Sequence, residues 1–77
     1  MAVTQTYLTG EEVRLGDRVR RGDDEGKIVA LEEGLPAYGL SVADSRGKAM
    51  IEFKKMGLMC EWTSDNEDLK FVCRASP

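Results

Sequence analysis

Carboxylate side chains are the most frequent groups in this sequence that could carry out acid–base chemistry or bind a metal ion. They cluster at residues 23–25, 32–33 and 65–68. A carboxylate pair works as general acid and base when burial or a neighbouring charge moves one pKa away from the other. Residues 23–25 and 65–68 lie in segments that predict exposed turns, where water keeps pKa shifts small. These two clusters therefore indicate charged surface loops rather than a catalytic pair.

Histidine, the most common general base and a frequent metal ligand, is absent from the sequence. A Ser-His or Cys-His nucleophile pair is therefore excluded. The two cysteines, Cys60 and Cys73, are too few for a closed zinc site, which needs four ligands. The stretch GDDEG at residues 22–26 lacks the alternating ligands of a calcium loop and the Gly-Lys-Ser/Thr ending of a phosphate loop. We expect no enzymatic activity, no metal ion and no cofactor.

The chain is small and slightly acidic, which limits what it can build. Its 77 residues carry a net charge of −3 and predict a single domain, residues 1–77. A domain of this size buries only about 60% of its unfolded surface, which leaves little room for an enclosed active site. No apolar run predicts a membrane span, and residues 1–10 lack the features of a signal peptide. We expect a cytoplasmic protein of bacterial type, with Cys60 and Cys73 buried as small apolar residues rather than joined in a disulfide.

Alternation of apolar and polar residues predicts five short strands. A tight hairpin at residues 54–57 joins the third and fourth strands, and residues 64–69 resemble one helical turn before the fifth. An irregular loop of about residues 33–48 separates the second and third strands, with a short strand at residues 40–43 as an open alternative. The five predicted strands are residues 18–21, 27–31, 48–53, 58–63 and 70–74.

Five antiparallel strands in so short a chain predict an all-β barrel or sandwich. A barrel of about residues 13–74 is favoured because closure removes exposed sheet edges. For the second strand, Ile28 with Ala30 is the alternative inward face. For the fourth strand, a register shift of one residue would turn Trp62 outward and make it the leading candidate for a binding hot spot. The predicted inward residues are Val19, Val29, Leu31, Ile51, Phe53, Leu58, Cys60, Trp62, Leu69 and Phe71.

The order of these segments resembles the SH3-like barrel in its KOW and Tudor-like forms. The resembling stretches are LGDRVRR, GKIVAL, KAMIEF, GLMCEWT and NEDLKFV, which span most of residues 13–73. The resemblance implies a small five-stranded antiparallel SH3-like barrel with one short helical turn before the last strand. These families include nucleic-acid binders, peptide binders and scaffolds, so function has to be argued from the site.

The stretches EEVRLGDRV, GLMCEW and EDLKFV also look like parts of small uncharacterised bacterial proteins encoded beside toxin genes or on mobile elements. This second resemblance implies an immunity-type or accessory role. It identifies no functional residue.

Methionines near the central hairpin favour a protein-binding role. Met50, Met56 and Met59 surround that hairpin, and alternation places Met50 and Met59 on its outward face. Exposed methionines form adaptable apolar surfaces, and Tyr38 and Leu40 extend the predicted patch. Two alternatives remain open: the loop of residues 33–48 covers and buries the methionines, or the same face forms a homodimer.

Asp23, Asp24 and Glu25 would add an acidic loop that attracts a basic partner. We therefore expect a non-catalytic protein-interaction module, of immunity or accessory type, that binds a basic protein. A homodimeric structural protein is a further alternative.

Three arginines favour a different function, a KOW-like module that binds nucleic acid. Arg18, Arg20 and Arg21 are close in sequence, and alternation places Arg18 and Arg20 on the same face. Acidic neighbours reduce their field, and Tyr7 and Tyr38 are the aromatic residues left to stack on bases. Nucleic acid therefore ranks below a protein partner.

Overall fold

The computed structural model describes residues 5–74 as a five-stranded antiparallel sheet. The strand order is β4-β3-β2-β1-β5, which confirms the all-β, five-stranded prediction. Within the described residues β4 and β5 are the two edges and do not pair, so the sheet is open and the predicted barrel closure is not shown. The strands are β1 (Arg18–Arg21), β2 (Asp24–Ala30), β3 (Lys48–Phe53), β4 (Gly57–Trp62) and β5 (Leu69–Cys73).

The connection between β2 and β3 is helical rather than irregular. It contains a 3-10 helix (Glu32–Tyr38) and a four-residue helix, α1 (Val42–Ser45). The alternative of a strand at residues 40–43 is wrong because Ser41 caps α1, its Oγ accepting a hydrogen bond from the Asp44 N–H at 3.0 Å. Among residues 5–74 no helix has both the length and the apolar character needed to cross a membrane.

The helical turn predicted at residues 64–69 is a non-helical turn instead. The Asn66 side chain donates to the Trp62 carbonyl at 3.0 Å and accepts from the Asp68 N–H at 3.1 Å. Such side-chain bonds to nearby backbone compete with helical hydrogen bonds, so the chain reaches β5 through turns.

Two apolar clusters pack against opposite faces of the sheet. The smaller one, which we call the outer cluster, consists of Ala30, Leu35 and Met50 beneath the 3-10 helix. The larger one, the inner cluster, includes the four strand residues Val19, Ile51, Phe53 and Leu69 that were correctly predicted to be buried. Its buried members are Tyr7, Val13, Val19, Ile28, Ala49, Ile51, Phe53 and Leu69.

A bulge in β2 divides its side chains between these clusters. The pairing of β2 with β3 shifts register between Ile28 and Ala30. An extra residue at a bulge changes the face on which the following side chains lie. Ile28 and Leu31 therefore contact the inner cluster, while Val29 and Ala30 contact the outer one. The sequence-based assignment of Val29 with Leu31 to one face is therefore wrong. The alternative residues, Ile28 and Ala30, are both buried, but the bulge divides them between the two clusters.

The side chains of β4 lie on the faces of the sheet opposite to those predicted. Leu58 and Trp62 are 51% and 53% exposed, and Cys60 is half-buried against the outer cluster. Met59 packs instead against the inner cluster, where it is paired with Ile51 of β3. The turn between β3 and β4 sets this register, and one residue of register decides which face every side chain occupies.

The last strand contains a second irregularity. Its pairing with β1 shifts register between Arg18 and Val19, so half-buried Phe71 faces inward with Val19 while Cys73 lies opposite Arg18. Cys73 is therefore exposed, which contradicts its predicted burial. Both cysteines are free, and Cys60 is half-buried.

Candidate binding surfaces

Four basic side chains lie together on the outer face of the sheet. Arg18 and Arg20 project from β1 on the face opposite buried Val19. In the strand register, Arg18 lies directly opposite Lys27 of β2, and Arg20 lies directly opposite Lys70 of β5. All four side chains are exposed, and the ion pairs formed by residues 5–74 include none of them. We call these four residues the basic patch.

Backbone geometry concentrates the charge of the basic patch. Residues two apart on a strand are about 7 Å apart, and neighbouring strands are about 5 Å apart. Four positive charges therefore originate from an area of roughly 7 by 10 Å on three adjacent strands. Like charges directly opposite across an antiparallel pair are destabilising, and the patch contains two such pairs. These two like-charge pairs leave positive charge on the outer face that an anionic ligand could neutralise.

Two glutamates border the basic patch. Glu25 lies opposite Arg20, and its carboxylate is 3.5 Å from the Lys54 ammonium group. Glu52 lies opposite Lys27 on the β3 side. The positive area is therefore limited towards β3 and open towards β5, where Lys70 stands on the edge strand.

Arg21 does not belong to the basic patch, although the sequence grouped it with Arg18 and Arg20. It lies on the same side of β1 as Val19 and donates a hydrogen bond to Glu61 on β4. This ion pair joins two strands that are not neighbours in the sheet. Arg21 therefore serves the fold, whereas Arg18 and Arg20 share the outer face as predicted.

The acidic loop is occupied by contacts within the protein. Asp24 is buried, and its two carboxylate oxygens accept the N–H groups of Lys55 and Met56 at 2.9 and 3.0 Å. The carboxylate thus caps the turn between β3 and β4. Glu25 is the partner of Lys54, as described above.

Asp23 is exposed and is 2.9 Å from the Lys55 ammonium group. The hydrogen bond and charge of Lys55 lower the pKa of the Asp23 carboxyl, and the same contacts raise the pKa of Lys55. The three acids predicted to attract a basic partner are therefore each engaged by the β3–β4 turn.

The predicted methionine patch does not form one surface. Met50 lies on the outer face, but the 3-10 helix covers it and leaves it 6% exposed, as the alternative of a covering loop proposed. Met59 is on the inner face because of the register of β4. Leu40 packs against the outer cluster, while Met56 and Tyr38 remain exposed.

The outward side of β4 is the most apolar exposed part of the sheet. Leu58, Cys60 and Trp62 face outward on this strand, and we call them the β4 edge. The Trp62 ring lies against Gly47, where an added Cβ would be 3.2 Å from the ring. The ammonium group of Lys48 is 4.8 Å from the centre of the same ring. Trp62 is thus positioned outward, as the alternative register anticipated.

Buried Asp17 forms an ion pair with partly exposed Arg74 beside Tyr7 of the inner cluster. Oδ2 of Asp17 accepts hydrogen bonds from the Tyr7 hydroxyl at 2.8 Å, the Arg14 N–H at 2.9 Å and Arg74 at 2.8 Å. Burial and the bond to Asp17 raise the pKa of Tyr7. The ring of Tyr7 packs 5.0 Å from that of Phe71. Tyr7 is therefore a core residue and is not accessible for base stacking.

The remaining surface features give less evidence for a binding site. Leu15 and Tyr38 flank an open apolar groove of about 360 Å³ beside the 3-10 helix. In the part of the chain that the structure describes, no group of three or more potential metal ligands comes together. Comparison with protein-family models, with curated proteins and with solved structures found no match to this chain.

Proposed function

We propose that this protein is a non-catalytic interaction module that binds an acidic segment of a partner protein on the basic patch. The observation that carries the proposal is the exposure of four basic side chains on one face, none of which forms an ion pair with a carboxylate among residues 5–74. Their two like-charge pairs, Arg18 with Lys27 and Arg20 with Lys70, are unfavourable in the free protein. An acidic segment would relieve that repulsion on binding.

A protein partner is favoured over nucleic acid for two reasons. Proteins that bind single-stranded nucleic acid stack bases on exposed aromatic rings beside a basic groove. Phe71 is the one aromatic residue on β1, β2 or β5, and it faces the inner cluster. The net charge of −3 also opposes a long polyanion, which would extend past the patch onto acidic surface.

A basic partner has less support than the sequence suggested. It would have to displace Lys54 and Lys55 from the acidic loop, and Asp24 would have to give up two backbone hydrogen bonds. An acidic partner needs no such rearrangement at Arg18 or Arg20.

The proposal is tested by titrating the protein with an oligoglutamate peptide and, separately, with an oligodeoxythymidine of equal charge. We expect the peptide to bind at about 50 mM salt and to weaken steeply towards about 200 mM, as charge-driven binding does. The double variant Arg18→Gln/Arg20→Gln should reduce peptide affinity by at least about tenfold. The matched control is the double variant Arg14→Gln/Arg46→Gln, which removes two exposed arginines outside the patch and should leave affinity nearly unchanged.

Three results would overturn the proposal. Tighter binding of the oligodeoxythymidine than of the peptide would assign the patch to nucleic acid. Equal losses in Arg18→Gln/Arg20→Gln and in Arg14→Gln/Arg46→Gln would show that net charge, not the patch, controls binding. If neither the peptide nor the oligodeoxythymidine binds at low salt, the basic patch is not a binding surface for an anionic ligand.

A further inference from the structure

The apolar groove beside the 3-10 helix lies next to the basic patch on the same face of the sheet. Lys27 and Val29 both project from the outer face of β2, and Lys27 belongs to the patch while Val29 lines the groove. Residues two apart on a strand are about 7 Å apart. The groove therefore begins one outward residue beyond the row formed by Arg18 and Lys27.

The segment before β1 forms the other wall of the groove. The Gly16 N–H donates to the Ile28 carbonyl at 2.8 Å, and the Ile28 N–H donates to the Asp17 carbonyl at 2.9 Å. These two bonds extend the pairing with β2 beyond Arg18 and hold Leu15, which lines the groove, beside the end of β2. The basic patch and the groove are therefore consecutive parts of one surface.

Apolar side chains of the groove remain accessible. Leu15 is 61% exposed and Tyr38 is 46% exposed, and Val29, Ala30 and Gly34 lie between them. The volume of about 360 Å³ is at the small end of the range of roughly 300–1,000 Å³ found for ligand pockets. This space suits an apolar side chain of a bound peptide, the kind of anchor that supplies much of the affinity at protein interfaces.

Glu33 restricts the charge of a ligand at the far end of the groove. It lines the groove from the 3-10 helix, beyond Val29 when the chain is followed from Lys27. A ligand carboxylate at this end would face a like charge, whereas one at the other end would meet Lys27 and Arg18. The charges therefore fit a ligand that is apolar in the groove and acidic on one side of it.

We propose that the groove and the basic patch together bind one segment of a partner protein, in which an apolar residue is flanked on one side by acidic residues. This proposal rests on the proposed function and adds the residue that the acidic segment must carry. The apolar side chain enters between Leu15 and Tyr38. Acidic residues about two positions further along an extended chain then reach Arg18 and Lys27. Burial of the apolar side chain contributes affinity that salt does not screen.

Titration with matched peptides tests the proposal. The reference peptide is hexaglutamate with a glutamine at each end. Two further peptides replace one terminal glutamine by leucine, at the amino or at the carboxyl end, so that both chain directions are covered. We expect one leucine peptide to bind about tenfold more tightly than the reference. That ratio should stay constant between about 50 and 200 mM salt while all affinities fall.

Two variants locate the site of the gain. Leu15→Gln should remove the gain from leucine and leave binding of the reference peptide unchanged. Leu8→Gln is the matched control, because Leu8 is 49% exposed and does not line the groove, and it should keep the gain. Circular dichroism establishes that both variants are folded. Amide chemical shifts of Gly34 and Tyr38 should change with the leucine peptide and not with the reference.

Failure of the groove and failure of the basic patch give different results. Equal affinities of leucine and reference peptides, or a gain that survives Leu15→Gln, would overturn the groove as the anchor site and leave the basic patch intact. Equally tight binding of a leucine peptide whose glutamates are replaced by glutamines would overturn the requirement for acidic residues. A dimer in sedimentation equilibrium that Leu15→Gln dissociates would assign the groove to a second copy of the chain. Absence of binding by every acidic peptide would overturn both proposals.

Discussion

Arg18 on β1 lies directly opposite Lys27 on β2, and both side chains are exposed on the outer face of the sheet. Two like charges in these positions weaken the strand pairing in the free protein. Arg20 and Lys70 repeat the arrangement on the other side of β1. Glu25 opposite Arg20 and Glu52 opposite Lys27 offset part of this repulsion, whereas Arg18 and Lys70 have no acidic residue opposite them among residues 5–74.

Replacing Arg18 should therefore separate stability from binding. We expect Arg18→Gln to raise the free energy of unfolding by about 0.2–0.5 kcal/mol, because it removes repulsion against Lys27 and its other cross-strand neighbour is uncharged Cys73. The same change should weaken oligoglutamate binding. Urea denaturation and the peptide titration measure the two effects. Lys54→Gln, which instead loses the pair with Glu25, should not increase stability, and a destabilised Arg18→Gln would contradict the argument.

The turn between β3 and β4 should depend on Asp24 and not on its neighbour. Asp24→Ala leaves the N–H groups of Lys55 and Met56 without their carboxylate acceptor, and we expect a loss of about 2–4 kcal/mol. Asp23→Ala removes only an exposed ion pair and should leave the free energy of unfolding nearly unchanged. Equal effects of the two variants in urea denaturation would argue against the cap.

The ion pair of Asp17 should be sensitive to loss of its partner. Arg74→Gln leaves a carboxylate that is 1% exposed without a positive charge. We expect a loss of about 1–3 kcal/mol, less than for a fully buried pair because Arg74 is itself 37% exposed. Arg14→Gln is the control, since among residues 5–74 the Arg14 side chain forms an ion pair with exposed Glu12 alone, and its loss should change stability little. A stability of Arg74→Gln equal to that of Arg14→Gln would contradict this role.

Tyr7 should make the protein lose stability in alkali. Burial, with the hydrogen bond to Asp17, raises the pKa of Tyr7, so the folded protein keeps a proton that the unfolded chain releases near pH 10. The unfolded state then binds fewer protons, and the free energy of unfolding falls as pH rises above about 10. Urea denaturation between about pH 9 and 11 should show a steeper fall in the original protein than in Tyr7→Phe. Parallel curves would exclude Tyr7 as the source.

The strands could be predicted from the sequence because alternation is a local property. Val19, Ile51 and Phe53 are buried as their patterns indicate. The faces of Val29 and Cys73 could not be predicted, because each lies at or just after a bulge that exists only when two strands pair. Trp62 faces outward because the turn before β4 sets the register of that strand. The alternation of residues does not reveal this register.

Only two of the four residues of the basic patch could be placed together from the sequence, because strand pairing brings in the other two. Arg18 and Arg20 share one strand, so alternation alone places them on one face. Lys27 and Lys70 join them through pairing with distant segments of the chain. Asp24 gave no sequence signal of its structural role, because the backbone groups that it caps lie more than thirty residues later.

The most direct test of the central claim is a map of amide chemical-shift changes as an oligoglutamate peptide is added at low salt. The basic patch predicts changes concentrated at Arg18, Arg20, Lys27 and Lys70, with the β4 edge unaffected. Changes concentrated at the β4 edge or at the groove beside Tyr38, or no changes at all, would contradict the assignment of the basic patch as the binding surface.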